Sequence, residues 1–440
     1  MKDVLRQKIV DALSTSPPPL TRREIRLPAV PGKACAVIGM RRSGKTTFLW
    51  QCLADRLAQG APRESLLFIN FEDDRLQGMN TSDLSWVLEE YYRLHPGMRD
   101  AHTTVFFFDE IQVIPGWESF VRRLMDTEKA DVFLSGSSAS LLSREVATSM
   151  RGRAMEVLVH PFSFREVLGH TDKLPVAPWE KLSKAVHSDL DNRLRAYLQS
   201  GGFPEAVGVP DRDRSALLRG YADTAVLRDV IDRHAVSNPT ALRWMQRHLL
   251  ANAAGPFSIQ KFYNDLRSQG IPVGKDTLYS YLEYLEDAFL VRSVSIYSDS
   301  ERKRMVNPRK AYPVDPGLIP VYERTGRPNL GHALETVILV ELERRGYELF
   351  YVRTREGFEV DFLAVSAFHT PILIQVSLDI SDTATRDREV RALEAAALEM
   401  PEAVPLLLTL ESTPPRPPLP EPLQWRPAVA WLLDVEEWGE

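Results

Sequence analysis

Val37 to Trp50 reads "VIGMRRSGKTTFLW", with Gly39 and Gly44 around two arginines and Lys45, Thr46 and Thr47 behind them. The spacing is G-x-x-x-x-G-K-T. In such a loop, backbone N–H groups curl around a phosphate, the lysine meets the β/γ end of a polyphosphate, and the first threonine hydroxyl reaches Mg²⁺. Upstream, Ala34–Ile38 is an apolar run that reads as a buried strand. Downstream, "TTFLWQCLADRLAQG" reads as a helix, apolar at Phe48, Leu49, Cys52, Leu53 and Leu57 and closed by Gly60. Strand, glycine loop and helix form the context the motif requires, because a helix N-terminus itself favours an anion. The expected contacts to ATP are Gly39, Arg42, Ser43, Gly44, Lys45, Thr46 and Thr47, with Mg²⁺ as the accompanying ion.

A phosphate loop also needs an acidic strand. "TTVFFFDEIQ" supplies it: Val105–Phe108 is apolar and ends in Asp109 and Glu110. Asp109, with Thr46, is expected to hold Mg²⁺, and Glu110 to polarise the attacking water. "SLLFINFED" (Ser65 to Asp73) reads as the strand between them. A further strand, "ADVFLSGSSASLL", runs into Ser135, Gly136, Ser137 and Ser138. Ligands sit at the carboxyl ends of strands in such sheets, so Ser137 or Ser138 is placed to sense the γ-phosphate; the same serines also suit a helix N-cap. Arg151 and Arg153 precede one more apolar strand, Met155–Val159, and taken alone read as a solvated basic turn.

The 440 residues suffice for about three domains of ~150 residues. Hydrophobic residues make up 44% and charged residues 26%, which permits a real core, and a net charge of -6 means that any nucleic-acid surface must be local. Cys35 and Cys52 are the only cysteines and flank the phosphate loop, so they read as small core residues rather than a disulfide or zinc pair. Acidic residues interrupt the amphipathic start "MKDVLRQKIVDALS", so it does not read as a signal peptide. No long apolar run suggests a membrane span, and a cytoplasmic location is expected.

From Asp189 to Ala254 the pattern is helical. Gly201 and Gly202 break one helix, Pro239 opens another, and the frequent arginines, Arg228 among them, read mainly as solvated faces or ion pairs. "SIQKFYNDLRSQG" and "KDTLYSYLEYLEDAFLV" then read as two helices joined by a turn with Gly270 and Gly274, Ser258 and Asp276 standing at the caps. "LVRSVSIYS" and "KAYPVD" read as strands of a wing, with Arg302, Lys303, Arg304, Arg309 and Lys310 between or at them. A winged helix that grips DNA would use Lys275, Arg302, Lys303 and Arg304. The contacts would be mainly to phosphates, since Glu283, Glu286 and Asp287 make the second helix acidic for a groove reader.

The motifs "GMRRSGKTT", "INFEDDRL", "FFFDEIQVIPGWESFVRRL", "SGSSASLLS", "RGR" and "HPFSFREVL" resemble the AAA+ ATPases that carry a C-terminal restriction-nuclease-like domain of unknown function. "YLQSGGFPEAV", "LRDVIDRH", "TLYSYLEYLEDAFLV", "KAYPVDPGL" and "EVDFL" extend the resemblance over nearly the whole chain. It implies that Ser137 stands at the sensor position, that Arg153 is an arginine finger acting on a neighbouring subunit, and that the protein is a homo-oligomer, a hexameric ring being one form. It also implies a helical lid beside the ATPase core. The expected domains are 1–170 (AAA+ P-loop parallel sheet), 171–254 (helical lid), 255–325 (winged helix-turn-helix) and 326–440 (restriction-nuclease-like α/β domain).

In that last domain Glu335 and Asp361 match the metal-binding carboxylates, but Gln375 stands where a third acid belongs and Ser377 where a lysine belongs. Glu359 is expected to point away from Asp361, though on a regular strand the two share a face and could pair. The site therefore reads as degenerate and inactive unless a lysine or arginine elsewhere substitutes for the missing cation, which would stabilise charge developing at the phosphate. "STPPRPPLPEP" (Ser412 to Pro422) lies between apolar runs and reads as a stiff internal loop. The expected function is an ATP-hydrolysing DNA motor or remodeller, stimulated by duplex or branched DNA such as junctions and forks. An ATP-gated switch in signalling or defence and an ATP-dependent nuclease are the alternatives.

Overall fold

Five apolar runs become five parallel strands: β1 (Ala34–Ile38), β2 (Leu66–Asn70), β3 (Thr104–Asp109), β4 (Ala130–Gly136) and β5 (Ala154–Leu158), in the spatial order β2-β3-β4-β1-β5. A parallel sheet covered on both faces needs apolar residues at successive positions, and every residue of β1 and β3 is buried. The helices are α1 (Lys2–Ser14), α2 (Lys45–Ala58), α3 (Thr81–Leu94) and α4 (Trp117–Thr127). Phe48, Leu49, Cys52 and Leu53 of α2 share a core with Cys35, Val37, Phe68, Phe107 and Phe133. Both cysteines are free and buried in this core, and burial pushes their thiols up to about 12, which disfavours the reactive thiolate. The computed structural model describes residues 1–99, 102–136, 150, 152–323 and 329–434. By contacts the chain forms two units, Met1–His160 with Asp287–Phe289, and Pro161–Glu286 with Leu290–Glu440.

The second unit starts with helices: α5 (Phe164–His170), α6 (Lys184–Ser200), α7 (Asp211–Thr224) and α8 (Pro239–Ala251), with a π-helical stretch, Ala225–Ile231, following α7. As expected, α6 stops before Gly201, whose φ is +73°, and Pro239 opens α8. Strand β6 (Pro256–Phe257) leads to α9 (Ile259–Ser268) and α10 (Lys275–Asp287). Then come β7 (Val291–Ile296), α11 (Glu301–Val306), β8 (Arg309–Pro313) and α12 (Leu318–Tyr322). Ser258 caps α9, but Asp276 lies inside the first turn of α10 rather than at its cap. The chain ends with α13 (Leu330–Arg344), β9 (Glu348–Arg353), β10 (Glu359–Val365), β11 (Ile372–Ser377), α14 (Thr383–Glu399), β12 (Val404–Thr409), β13 (Gln424–Pro427) and α15 (Ala428–Leu433). The proline-rich stretch is the connection from β12 to β13, held where Arg386 Nη2 donates to the Pro417 carbonyl at 3.0 Å.

One eight-stranded sheet runs through this unit in the order β13-β12-β11-β10-β9-β7-β8-β6. Strand β7 is the joint. Its first residues pair antiparallel with β8, and Ser295 and Ile296 pair parallel with Phe350 and Tyr351 of β9. Four domains were expected; the structure has two units. The hairpin and the C-terminal strands share β7, and Phe164, Leu168, Leu190 and Leu194 of α5 and α6 share a core with Leu334, Ile338 and Phe362. The first unit ends at His160, ten residues before the expected end of the nucleotide domain. Among the described residues no helix is long and apolar enough to cross a membrane.

Candidate functional site

The loop Gly39–Gly44 joins β1 to α2 at the carboxyl end of the parallel sheet. Gly39 has φ +146°, and a Cβ there would lie 2.3 Å from the Val159 carbonyl oxygen, so only glycine fits. Gly44 has φ +100° and occupies the N-cap of α2, where no side chain caps the first turn. Lys45 is buried, and its Nζ donates to the Gly39 and Met40 carbonyls at 3.1 Å each. Ser43 Oγ is buried without a hydrogen-bond partner among the described residues. A cradle closed to any Cβ, an uncapped helix start and an orphaned hydroxyl fit a polyphosphate with its magnesium ion.

Asp109, at the end of β3, lies behind the loop and is fully buried. Thr46 Oγ1 donates to its Oδ2 at 2.9 Å and Asn70 Nδ2 to the same oxygen at 2.8 Å, while Ser135 Oγ donates to Oδ1. Burial pushes the Asp109 carboxyl up to about 6, against the downward pull of Ser135, Thr46 and Lys45. Ser135 Oγ also accepts from the Glu110 N–H at 2.9 Å, so one serine ties both acids together. Glu110 is buried and left-handed at φ +54°, and Gln112 Nε2 donates to its carboxylate.

Three residues of this site went unread in the sequence: Asn70, Ser135 as the working serine, and Arg23. A polar residue closing an apolar strand was the available signal for the first two. Arg23 sits in a stretch without pattern, yet it is buried and its guanidinium donates to the Ser43 carbonyl at 2.9 Å and the His160 carbonyl at 2.6 Å, bracing the loop. Arg42 has φ +67° inside the loop, and Thr47 is exposed in the first turn of α2. Ser137, Ser138 and Arg151 lie outside the described residues. Arg153 immediately precedes β5, where its carbonyl accepts from the Ala34 N–H at 2.8 Å and its guanidinium pairs with Asp126. Because β1 and β5 run parallel from Ala34↔Ala154 to Ile38↔Leu158, Arg153 lies at the end of the sheet away from its own phosphate loop.

In the second unit the structure gathers Glu335, Asp361 and Gln375 and adds a lysine. Lys310 is buried, and its Nζ lies 3.0 Å from Asp361 Oδ1 and 2.8 Å from Glu359 Oε1. Two expectations are corrected here. Glu359 does not turn away from Asp361, because both carboxylates close on one ammonium. Lys310 is no wing-tip contact, because it belongs to the start of β8 and is drawn into the acids. Burial works against the Lys310 charge, but Asp361, Glu335 and Glu359 outweigh it and hold its pKa above the ordinary lysine value. Glu335 is pushed well up, first by burial and then by Asp361, and Tyr312 donates to it at 3.4 Å. Gln375 accepts from the Asp361 N–H at 3.3 Å and donates to Glu389 at 2.7 Å. Among the described residues no group of three His, Cys, Asp or Glu side chains is arranged to hold a metal.

The remaining candidates are at the surface. Lys275 opens α10 with its ammonium 5.9 Å from the Tyr279 ring centre. Arg302 and Lys303 are exposed on α11, so a short helix, not an extended tip, joins β7 to β8; Arg304 pairs with Glu301.

An AAA-domain family model matches residues 31–168, and a domain of unknown function (DUF8612) matches residues 191–327. An uncharacterized Methanocaldococcus jannaschii protein, MJ1544, is 32% identical over 383 residues, 86% of this chain and 82% of its own. An uncharacterized Haemophilus influenzae protein is 30% identical over 348 residues, 79% of this chain and 82% of its own. Among solved structures, the Walker-type ATPase paby2304 of Pyrococcus abyssi aligns at 16% identity and TM-score 0.39, over 73% of this chain and 95% of that one. The Aeropyrum pernix ORC2 protein in its ADPNP–ADP complexes aligns at 13% and 0.39, over 73% and 91%.

Proposed function

The chain belongs to the family of its Methanocaldococcus and Haemophilus relatives and carries an AAA domain, and from that premise we propose that it hydrolyses ATP as an oligomer to move or remodel DNA in the cytoplasm. The observation that carries the reading is the coupling of the phosphate loop to Asp109, Ser135 and Glu110 through Thr46. Thr46 and Asp109 would hold Mg²⁺, whose charge neutralises the phosphates. Lys45 and the loop N–H groups bind the phosphates; to do so Lys45 exchanges its two carbonyl partners for phosphate oxygens. Glu110 orients the attacking water and accepts its proton, while the Ser135 bond to its N–H fixes its backbone.

Arg153 stands at the end of the sheet away from its own nucleotide, where it pairs with Asp126; as a finger it would act on a neighbouring subunit's nucleotide. A finger in trans is worth roughly 10³–10⁵ in rate in GTPases. Arg153→Ala should lose turnover and keep ATP affinity, and mixing it with Glu110→Gln subunits should restore some activity. Normal turnover by an oligomeric Arg153→Ala protein would move the finger elsewhere, Arg151 being next.

The element order α13-β9-β10-β11-α14-β12 with Glu335 and Asp361 supports a nuclease-like module, and β6-α9-α10-β7-β8 supports a winged helix whose α11 carries phosphate contacts. Cleavage is disfavoured because Gln375, where a third acid belongs, is spent on Glu389, although Lys310 sets beside Asp361 the cation that Ser377 cannot supply. The deciding experiment is the ATPase rate with and without single-stranded, duplex, forked and four-way DNA. Stimulation supports the motor; a slow rate indifferent to DNA supports the ATP-gated switch instead.

A further inference from the structure

A cleft of about 730 Å³ opens in the second unit beside α8, α9 and the start of α13, lined in part by Trp244, Arg247, His248, Phe262, Gln269 and His332. Trp244, Arg247 and His248 lie on the stripe of α8 opposite its buried Leu242, Met245 and Leu249. That stripe faces water and should be polar, yet Trp244 stands on it with 37% of its surface exposed. The His248 ring packs 5.4 Å from Phe262, which gives the cleft a second aromatic wall. Partial desolvation in the cleft lowers the pKa of both His248 and His332, which disfavours positive charge on their rings and favours them as hydrogen-bonding edges. Glu323 also lines the cleft, on the side of His332, so the anionic group is placed on Arg247 and not between the two rings.

An aromatic plate, a guanidinium and neutral imidazole edges in one concave site match a planar heterocycle that carries one anionic group. We propose that this cleft takes a single nucleotide unit, its base stacked on Trp244 and its phosphate on Arg247. The inference rests on the DNA reading above and deepens it: α11 would hold the duplex backbone, and the cleft an unpaired nucleotide beside it. The same chemistry belongs to a free mononucleotide, and the two sources are separated by the probes.

The test uses the full chain, labelled oligothymidine, thymidine monophosphate as competitor (without the polyphosphate that the loop at Lys45 prefers) and a duplex of equal length. Trp244→Ala should weaken oligothymidine binding about 5- to 150-fold, the effect of about 1–3 kcal/mol per stacked base, and Trp244→Phe should recover most of it. Arg247→Gln should weaken it too and lower the salt slope by about 0.7. ATP turnover without DNA should stay unchanged in all three. Competition by the mononucleotide identifies the free ligand as sufficient; its failure to compete identifies the strand. If Trp244→Ala and Arg247→Gln bind oligothymidine like the parent while duplex binding persists, the cleft is not the site, though the DNA reading stands. If the parent binds neither strand form, both fall together.

Discussion

Asp109 and Asp361 are both buried aspartates on strands, and the chain satisfies them by opposite means. Asp109 is surrounded by neutral donors, two hydroxyls and an amide, which leave its negative charge uncancelled at the mouth of a phosphate loop. Asp361 is met by the ammonium of Lys310, with Glu359 on the other side. A carboxylate held by neutral groups still attracts a cation; one held by a fixed cation does not. The first arrangement suits a metal that comes and goes with nucleotide. The second is an internal ion pair between two groups of the chain itself.

The largest expected effects fall on the first region. Lys45→Ala should abolish ATP binding, measured by calorimetry. Glu110→Gln should retain binding and lose turnover by roughly 10²–10⁴, the usual share of a general base. Wild-type turnover in Glu110→Gln would remove the assignment.

In the second region the expected loss is of stability. Lys310→Met leaves Asp361 uncompensated inside the fold and should cost about 3–5 kcal/mol in urea unfolding, with Asp361→Asn in the same chain restoring part. The parent, free of nucleotide, should show no Mn²⁺ binding that depends on Asp361. An Asp361-dependent Mn²⁺ site would break the contrast and revive the nuclease reading.

A smaller effect separates the two by pH. With its carboxyl pushed up to about 6, Asp109 is protonated below that pH and loses its hold on Mg²⁺, so Mg²⁺-dependent ATP binding should weaken about tenfold per unit below pH 6. Stability runs the other way. A raised carboxyl pKa favours the folded, protonated form, so the nucleotide-free protein gains up to ~3 kcal/mol from this group as pH falls from 6 to about 4. Asp109→Asn should flatten both trends, and a pH-independent Mg²⁺ requirement in the parent would count against the neutral-donor description.

The smallest effect concerns α11. Replacing Arg302, Lys303 and Arg304 by alanine should weaken duplex binding across all sequences and lower the salt slope by about 0.9 for each phosphate left without its cation. Unchanged binding with an unchanged slope would make this helix a scaffold.

The parallel sheet was legible because strands buried on both faces must be apolar throughout, and because the glycine spacing admits few other structures. The acids after β3 were legible for the same reason: charge at the end of such a run is conspicuous. Asn70 and Ser135 were not, since one polar residue closing a strand looks the same whether it holds an aspartate or merely ends the strand. Lys310 was misread for a different reason. It sits in a basic run, and sequence distance gives no hint that β7 joins the β8 hairpin to β9 and brings a lysine beside an aspartate 51 residues later. Arg23 is the extreme case, a side chain whose role is visible only through the two carbonyls it holds.

The strand shared through β7 decides how this protein can be dissected. A fragment cut at residue 326 would bare the edge of β9 where Ser295 and Ile296 had paired, and would leave Asp361 and Glu359 without Lys310. An exposed edge invites pairing with other copies, and an unmatched buried charge unsettles the core, so such a fragment should precipitate on expression. One that begins before Leu290 keeps both the edge strand and the lysine, and is the shorter piece to purify when the C-terminal sheet is studied by itself.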